Sequence, residues 1–287
     1  MNDFVTFCRG LGIVLDTLPP IGRWVRVPTK SHPHKKNGAV KFLGSHGFAQ
    51  EHSTMQEVAV WRAEEGTSAP VIDMAALRAA TAREHLRIEQ ARAKAAARAA
   101  QIMGATRHDR HPYLLAKGFG EDATGLVWDR DGERVLVVPM RVGTRLVGCQ
   151  LIGPTGDKKF LSGQLTRGAV FVLGQGDPIY CEGYATGLSA HAAAQAARVR
   201  ASVVICFSAH NMQVMATAGI VLADNDASGT GERAAQASGR PYWMSPIVGE
   251  DFNDYAKRAG PFAASQAIKR TWMDARRRSP DKEPPVT

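Results

Sequence analysis

Pro178-Ile179-Tyr180-Cys181 runs directly into Glu182-Gly183-Tyr184, and further along Ala218-Gly219-Ile220-Val221-Leu222-Ala223 runs into Asp224-Asn225-Asp226. Both runs are short and apolar throughout, the pattern of parallel strands buried on both faces. Each stops at an acid. A third acidic group follows, Gly249-Glu250-Asp251-Phe252-Asn253-Asp254. In an open α/β sheet, ligands bind in the crevice beyond the carboxyl ends of the strands. Carboxylates gathered there repel one another unless a divalent cation joins them. Hard oxygen donors suit Mg²⁺ or Mn²⁺, ions that organise phosphate chemistry. The pattern therefore predicts an α/β fold with a magnesium-dependent phosphoryl-transfer site.

Taken singly, these groups have plainer explanations. Asp and Asn favour turns and helix caps, and Asp251-Phe252-Asn253-Asp254 suits the cap of a helix starting near Tyr255. The ordered series is more specific than any member of it. A strand-end Glu-Gly followed by a later strand ending in Asp-x-Asp resembles the Toprim domain of bacterial-type primases, topoisomerases, recombination mediators and some nucleases. The flanks resemble the primases among them. Arg134-Val135-Leu136-Val137-Val138-Pro139-Met140-Arg141, Gly148-Cys149-Gln150 and Lys158-Lys159-Phe160-Leu161-Ser162 are similar to the basic segment that precedes Toprim there. His111-Pro112-Tyr113, Lys117-Gly118 and Tyr184-Ala185-Thr186 are closest to primases of phages, plasmids and integrated elements. The resemblance spans about residues 106–258.

Composition points the same way. The 287 residues carry 36 Lys+Arg against 27 Asp+Glu, a net charge of +9, and a basic surface attracts polyanions. With 44% hydrophobic residues the chain has enough apolar material for a core and room for about two domains. No apolar stretch approaches the roughly 20 residues that span a bilayer, and Met1-Asn2-Asp3-Phe4 has no signal-peptide character. The cytoplasm of a bacterial host is the expected location. The four cysteines, at 8, 149, 181 and 206, form no Cys-x-x-Cys pair and read as buried thiols. Many primases carry an N-terminal zinc ribbon. Residues 1–70 here hold one cysteine, so neither that ribbon nor zinc is expected, and His32, His34, His46 and His52 read as surface histidines.

Five regions are expected. Residues 1–70 form a small α+β domain, with a helix over Asp3–Leu15 and strands at Gly22–Val27, Gly38–Leu43 and Glu57–Trp61. Its basic loop places Lys35 and Lys36 with Arg23 as candidate nucleic-acid contacts. Trp61 belongs in the core, and Trp24 stays open between core and base contact. Residues 71–105 hold a long linker helix over 73–103, stopped by Gly104, with a thin apolar stripe of Leu77, Ala80, His85, Leu86 and Ile88. Residues 106–176 are the basic part of a primase core and 177–260 the Toprim domain, where the alanines from Ala192 pack on the sheet. Residues 261–287 are a helix and a tail, disordered from Arg276.

The resemblance implies a DNA primase, a nucleotidyltransferase that makes short RNA primers on single-stranded DNA from ribonucleoside triphosphates. Glu182, Asp224 and Asp226 take the catalytic positions and, with Asp251 and Asp254, the Mg²⁺ or Mn²⁺ positions. Glu182 acts there as metal ligand or as base, a choice the sequence leaves open. Arg141, Arg145, Lys158 and Lys159 would contact nucleotide or nucleic-acid phosphates. A Toprim nuclease and a non-catalytic single-strand-binding replication factor are the alternatives. A topoisomerase would need a further domain with a catalytic tyrosine. No Gly-x-x-x-x-Gly-Lys-Ser/Thr loop is present, so a replicative helicase would be a separate chain.

Overall fold

The computed structural model describes residues 3–55, 57–63 and 74–278 and divides into two compact units, Met1–Gln90 and Ala91–Thr287. In the first, Asp3 caps helix α1 (Phe4–Gly10), its carboxylate accepting from the Thr6 amide at 2.7 Å. The helix stops well before Leu15, because Gly12 turns the chain at a φ of +76°. Strands β1 (Trp24–Val27), β2 (Gly38–Phe42), β3 (His46–Glu51) and β4 (Ala59–Arg62) follow as an antiparallel meander in chain order.

The sequence reading lacks β3. Its Gly47 weakens the strand signal, yet the glycine is there for packing. A Cβ at Gly47 would meet the Phe4 ring at 2.3 Å. Phe4 lies 5.3 Å from Phe42 and 5.6 Å from Trp61, centroid to centroid, and the three rings fill the core with Val40 and Ala49.

Helix α2 (Met74–Gly104) contributes its residues to Gln90 to the first unit and the rest to the second. Asp73, its expected start, lies outside the described residues. The stripe that packs is not the expected one. Leu86 is 59% exposed, whereas Ala95, Ala99 and Ile102 are buried, the last two against Val137 and Cys149. Alanines four apart read as helix formers, but they also let a helix lie close on a sheet.

That sheet is a second antiparallel meander of β5 (Arg107–Arg110), β6 (Thr124–Arg130), β7 (Glu133–Val142), β8 (Arg145–Ile152) and β9 (Lys158–Phe160). Helix α3 (Pro112–Ala116) follows β5. The buried His111 caps it, accepting from the Tyr113 amide at 3.2 Å while its other ring nitrogen donates to the Arg134 carbonyl at 3.0 Å.

The third sheet is mixed. Its elements are β10 (Phe171–Gly174), β11 (Asp177–Cys181), α4 (Tyr184–Ala196), β12 (Ala201–Ile205), α5 (Ala209–Met215), β13 (Ile220–Ala223), α6 (Thr230–Ala237), β14 (Tyr242–Met244) and α7 (Phe252–Arg278). The strand order is β10-β12-β11-β13-β14, with β11 to β14 parallel and β10 antiparallel to β12. Ile179, Cys181, Val203, Ile205, Ile220 and Leu222 pack with α4 and α7, while Tyr180, Val204, Val221 and Ala223 pack with α5 and α6. Helix α4 sits so close that a Cβ at Gly187 would meet Ile205 at 2.4 Å, as the small residues of that segment predict.

Helix α7 kinks at Gly260, before Pro261, and continues to Arg278. Arg276 is therefore not part of a disordered tail. Its guanidinium donates to Asp177 at 2.9 Å and covers the Trp272 ring at 3.9 Å. The tail beyond Arg278 lies outside the described residues.

The packing of α2 is testable. Ile102→Ala should cost roughly 2–5 kcal/mol of stability and Leu86→Ala less than about 0.5 kcal/mol, read by urea denaturation. Equal small effects would mean that α2 does not pack on the β7–β8 region.

Candidate active site

The order of the mixed sheet decides where ligands can enter. From β11 the chain crosses through α4 to β12 on one side. From β13 it crosses through α6 to β14 on the other. The crossovers of these neighbouring strands leave in opposite directions, which opens a crevice at their carboxyl ends. Glu182 follows β11 and Asp224 follows β13, so the two lie at that switch point.

Asp224 is the most perturbed acid. One carboxylate oxygen is buried without a hydrogen-bond partner. Burial, then the charges of Asp251 and Glu182, push its pKa up to about 7, with Lys158 opposing. Burial also raises Glu182, against the pull of Lys158 and of the Ala209 amide at the start of α5. The charge of Lys158, on β9, thus acts on both carboxylates.

Asp226 behaves differently. Its carboxylate accepts from the Ser228 hydroxyl, from the Thr230 amide at 3.2 Å and from the Gly231 amide at 3.0 Å, and these bonds hold it below the usual aspartate range. It stays ionised and ties down the start of α6. Asp251 has two roles: it caps α7, accepting from the Asp254 amide at 2.8 Å, and its charge reaches Asp224. Asp254 is half-buried on the first turn of α7. Glu250 is committed elsewhere, to Arg258 at 2.6 Å and 2.9 Å and to Ser245.

Several supports were invisible in the sequence. Asn225 holds the acidic loops together: its side chain donates to the Ser245 carbonyl at 2.9 Å, and its backbone carbonyl accepts from Gly249 at 2.6 Å. Gly231 packs on Asp224, where a Cβ would meet the backbone oxygen at 2.3 Å. Phe207 adopts a φ of +66°, an outlier for a bulky residue, held by its amide bond to the Glu182 carbonyl at 2.9 Å. Its ring meets Phe160 edge-on at 6.4 Å. A cavity of about 310 Å³ is lined by Tyr113, Lys117, Gly156, Lys158 and Lys257 among others. Tyr113, Lys117 and Lys158 are legible in the sequence as separate motifs, whereas Lys257 is not.

The remaining basic candidates are scattered. Arg141 donates to the Thr144 carbonyl at 2.8 Å in its own hairpin, beside the exposed Arg145. Lys159 pairs with Asp157 at 3.5 Å. In the first unit Arg23 lies 3.9 Å from Glu84, while Lys35 and Lys36 are exposed in the β1–β2 turn. That turn is anchored by the buried Glu51, which accepts from Asn37 at 3.1 Å.

Among the described residues no three His, Cys, Asp or Glu side chains are near enough to form a ready-made metal centre. The carboxylates act on one another through charge without sharing a coordination point. The donor set still fits a hard divalent cation. It offers carboxylate oxygens, one of them buried and unpartnered, and a repulsion that a cation would relieve.

No protein-family model matches the chain, and no curated protein matches it. Among solved structures, it is similar to one chain of a complex in which bacteriophage T7 lagging-strand DNA polymerase interacts with primase domains of two gp4 subunits bound to an RNA/DNA hybrid and dTTP. The TM-score is 0.43 and the identity 15%, over 59% of this chain and 93% of that one. Among the described residues no helix is long and apolar enough to cross a membrane.

Asp224 sets a pH dependence. Its pKa is raised from 3.8 to about 7, so between those values the folded state binds more protons than the unfolded state and stability falls as pH rises. In EDTA the melting temperature should drop across that window. Asp224→Asn should flatten the profile and melt higher than the wild type at pH 8. Added Mg²⁺ or Mn²⁺ should stabilise the wild type above pH 7, its affinity weakening about tenfold per pH unit below that. A variant that melts lower at pH 8 would contradict the assignment.

Proposed function

We propose that the chain is a primase-like nucleotidyltransferase that joins ribonucleotides into short primers on a single-stranded DNA template. The observation that carries this reading is the position of Glu182 and Asp224 at the switch point of the mixed sheet, where the charge of Lys158 acts on both. In this reading β11 to β14 with their helices are a Toprim core, and the β5–β9 sheet is the basic primase subdomain before it. Residues 1–70, the long helix and the C-terminal helix are accessory.

Asp224, with Glu182 and Asp226, would hold Mg²⁺ or Mn²⁺, and Asp251 and Asp254 would stand behind them. When bound, the cation supplies charge neutralisation to the triphosphate and to departing pyrophosphate. The remaining work falls to the chain. The 3′-hydroxyl oxygen attacks the α-phosphorus, a new P–O bond forms, the bond to the β-phosphate breaks and pyrophosphate leaves. Glu182, its carboxyl raised by burial, accepts the hydroxyl proton. The ammonium groups of Lys117, Lys158 and Lys257 around their shared cavity suit a polyphosphate, and Arg141, Arg145 and Lys159 suit template or primer phosphates. The partners would be single-stranded template, ribonucleoside triphosphates and a replicative helicase on a separate chain.

The test is incubation with Mg²⁺ or Mn²⁺, single-stranded templates of varied sequence and labelled ribonucleotides. New short RNAs are expected. Asp224→Asn should abolish them, and Glu182→Gln should lower the rate by about 10²–10⁴-fold. Asp224 is a cleaner target than Asp226, whose carboxylate also holds α6. Template cleavage without synthesis would replace this reading with a nuclease. Binding with neither activity would leave a non-catalytic replication factor.

A further inference from the structure

The β1–β4 sheet has one face on its core and an opposite face whose strand residues, the buried Ala39 apart, are exposed or half-buried. Register fixes which residues share that opposite face. Trp24 pairs with Lys41, Lys41 with Phe48 and Phe48 with Val60, so these four form one row across the sheet. Arg26 lies two residues along β1 from Trp24, and the cross-strand pair His46 and Arg62 lies two residues along from Phe48 and Val60. Alternation puts all of them opposite Val27, Val40, Phe42, Ala49 and Trp61, which are buried.

This face is unlike an ordinary solvated one. Trp24 is 46% exposed and Val60 is 51% exposed, although Phe4, Phe42 and Trp61 already fill the core. Trp24 is not left isolated. Its ring lies 6.3 Å from Phe48, and His46 meets the far side of that contact edge-on, 6.0 Å from Phe48. Arg26, Lys41 and Arg62 are interleaved with the rings. No outward strand position on this face carries a carboxylate.

We propose that this face is a stacking platform for single-stranded nucleic acid, with Trp24 and Phe48 receiving unpaired bases and Arg26, Lys41 and Arg62 their phosphates. Rings lying on the face of a sheet can stack only on bases that are not paired, which favours a single strand over a duplex. A purely apolar partner would leave the three cations buried and unpaired, whereas a polyanion satisfies them. The basic turn with Lys35 and Lys36 lies at the Val27–Gly38 end of the same hairpin and would continue the phosphate path. The proposal stands independently of the carboxylate site.

The experiment measures binding of a fluorescein-labelled oligo-dT by the full chain, by anisotropy in EDTA without nucleotides. Failure of catalysis therefore cannot affect the result. Trp24→Ala and Phe48→Ala should each weaken binding by about 5–150-fold, the range for loss of one stacked base, and Trp24→Phe should keep most of it. Lys41→Gln should lower the slope of log affinity against log salt by about 0.7. Affinity for a duplex of the same length should not respond to the ring variants. Thermal melts check folding, and the Lys41→Gln slope reports on the site even if a ring variant unfolds. Wild-type oligo-dT affinity in folded ring variants would overturn the proposal, as would an equal loss for duplex.

Discussion

Glu182 and Asp224 are carried to one place by backbone topology, and their like charges must be tolerated there. Strand pairing of β11 with β13 is made by buried apolar residues, Ile179, Tyr180, Ile220 and Val221, which gain from being dry and side by side. The acids are the first residues past that dry region. They inherit its low polarity without its packing, and Asp224 is driven toward its neutral form. Much of the surrounding structure answers this arrangement. Asp226 is supplied with amides from α6, Asp251 with an amide from α7, and the charge of Lys158, from a different sheet, acts on both strand-end acids. One oxygen of Asp224 is left buried without a hydrogen-bond partner.

The loops that hold these acids are fixed by side chains doing structural work. Asn225 lies between the two aspartates in sequence, yet it spends its amide on the Ser245 carbonyl. Glu250, next to Asp251, is locked by Arg258 and Ser245. A dense acidic stretch therefore separates into residues that brace and residues that remain to interact. Gly231 makes the division possible, because only a residue without a side chain lets α6 start against the Asp224 backbone.

This explains how much was legible beforehand. The apolar runs before Glu182 and Asp224 predict buried parallel strands, and β11 and β13 are such strands. Short range is where reading succeeds. Trp61, at the end of the apolar run Val58-Ala59-Val60, reads as core, and it is buried. The failures come from long-range contacts. β3 is hidden because Gly47 looks like a breaker until Phe4, far away in sequence, fills the space above it. The buried side of α2 is hidden because Ala95 and Ala99 look like propensity, not packing. Arg276 looks like tail because Asp177, its partner, is 99 residues away. The cavity lined by Lys117, Lys158 and Lys257 draws on three segments, and no local pattern announces it.

Charge is sorted by position in both units. The chain as a whole is basic, with a net charge of +9, while its candidate catalytic crevice is acidic. A polyanion drawn by the overall field would be repelled by that crevice unless cations intervene at close range. Lys158 is placed to do so from the protein side, and a hard divalent cation would do so from the solvent side. The same division appears in the first unit, where the buried Glu51 is turned inward to fix a loop and the outward strand positions carry Arg26, Lys41 and Arg62. Acid is used where the fold needs an anchor or a reacting group, and base where a phosphate would pass. A protein that only needed a soluble surface would have no reason to sort its charges in this way, or to leave Trp24 in the open.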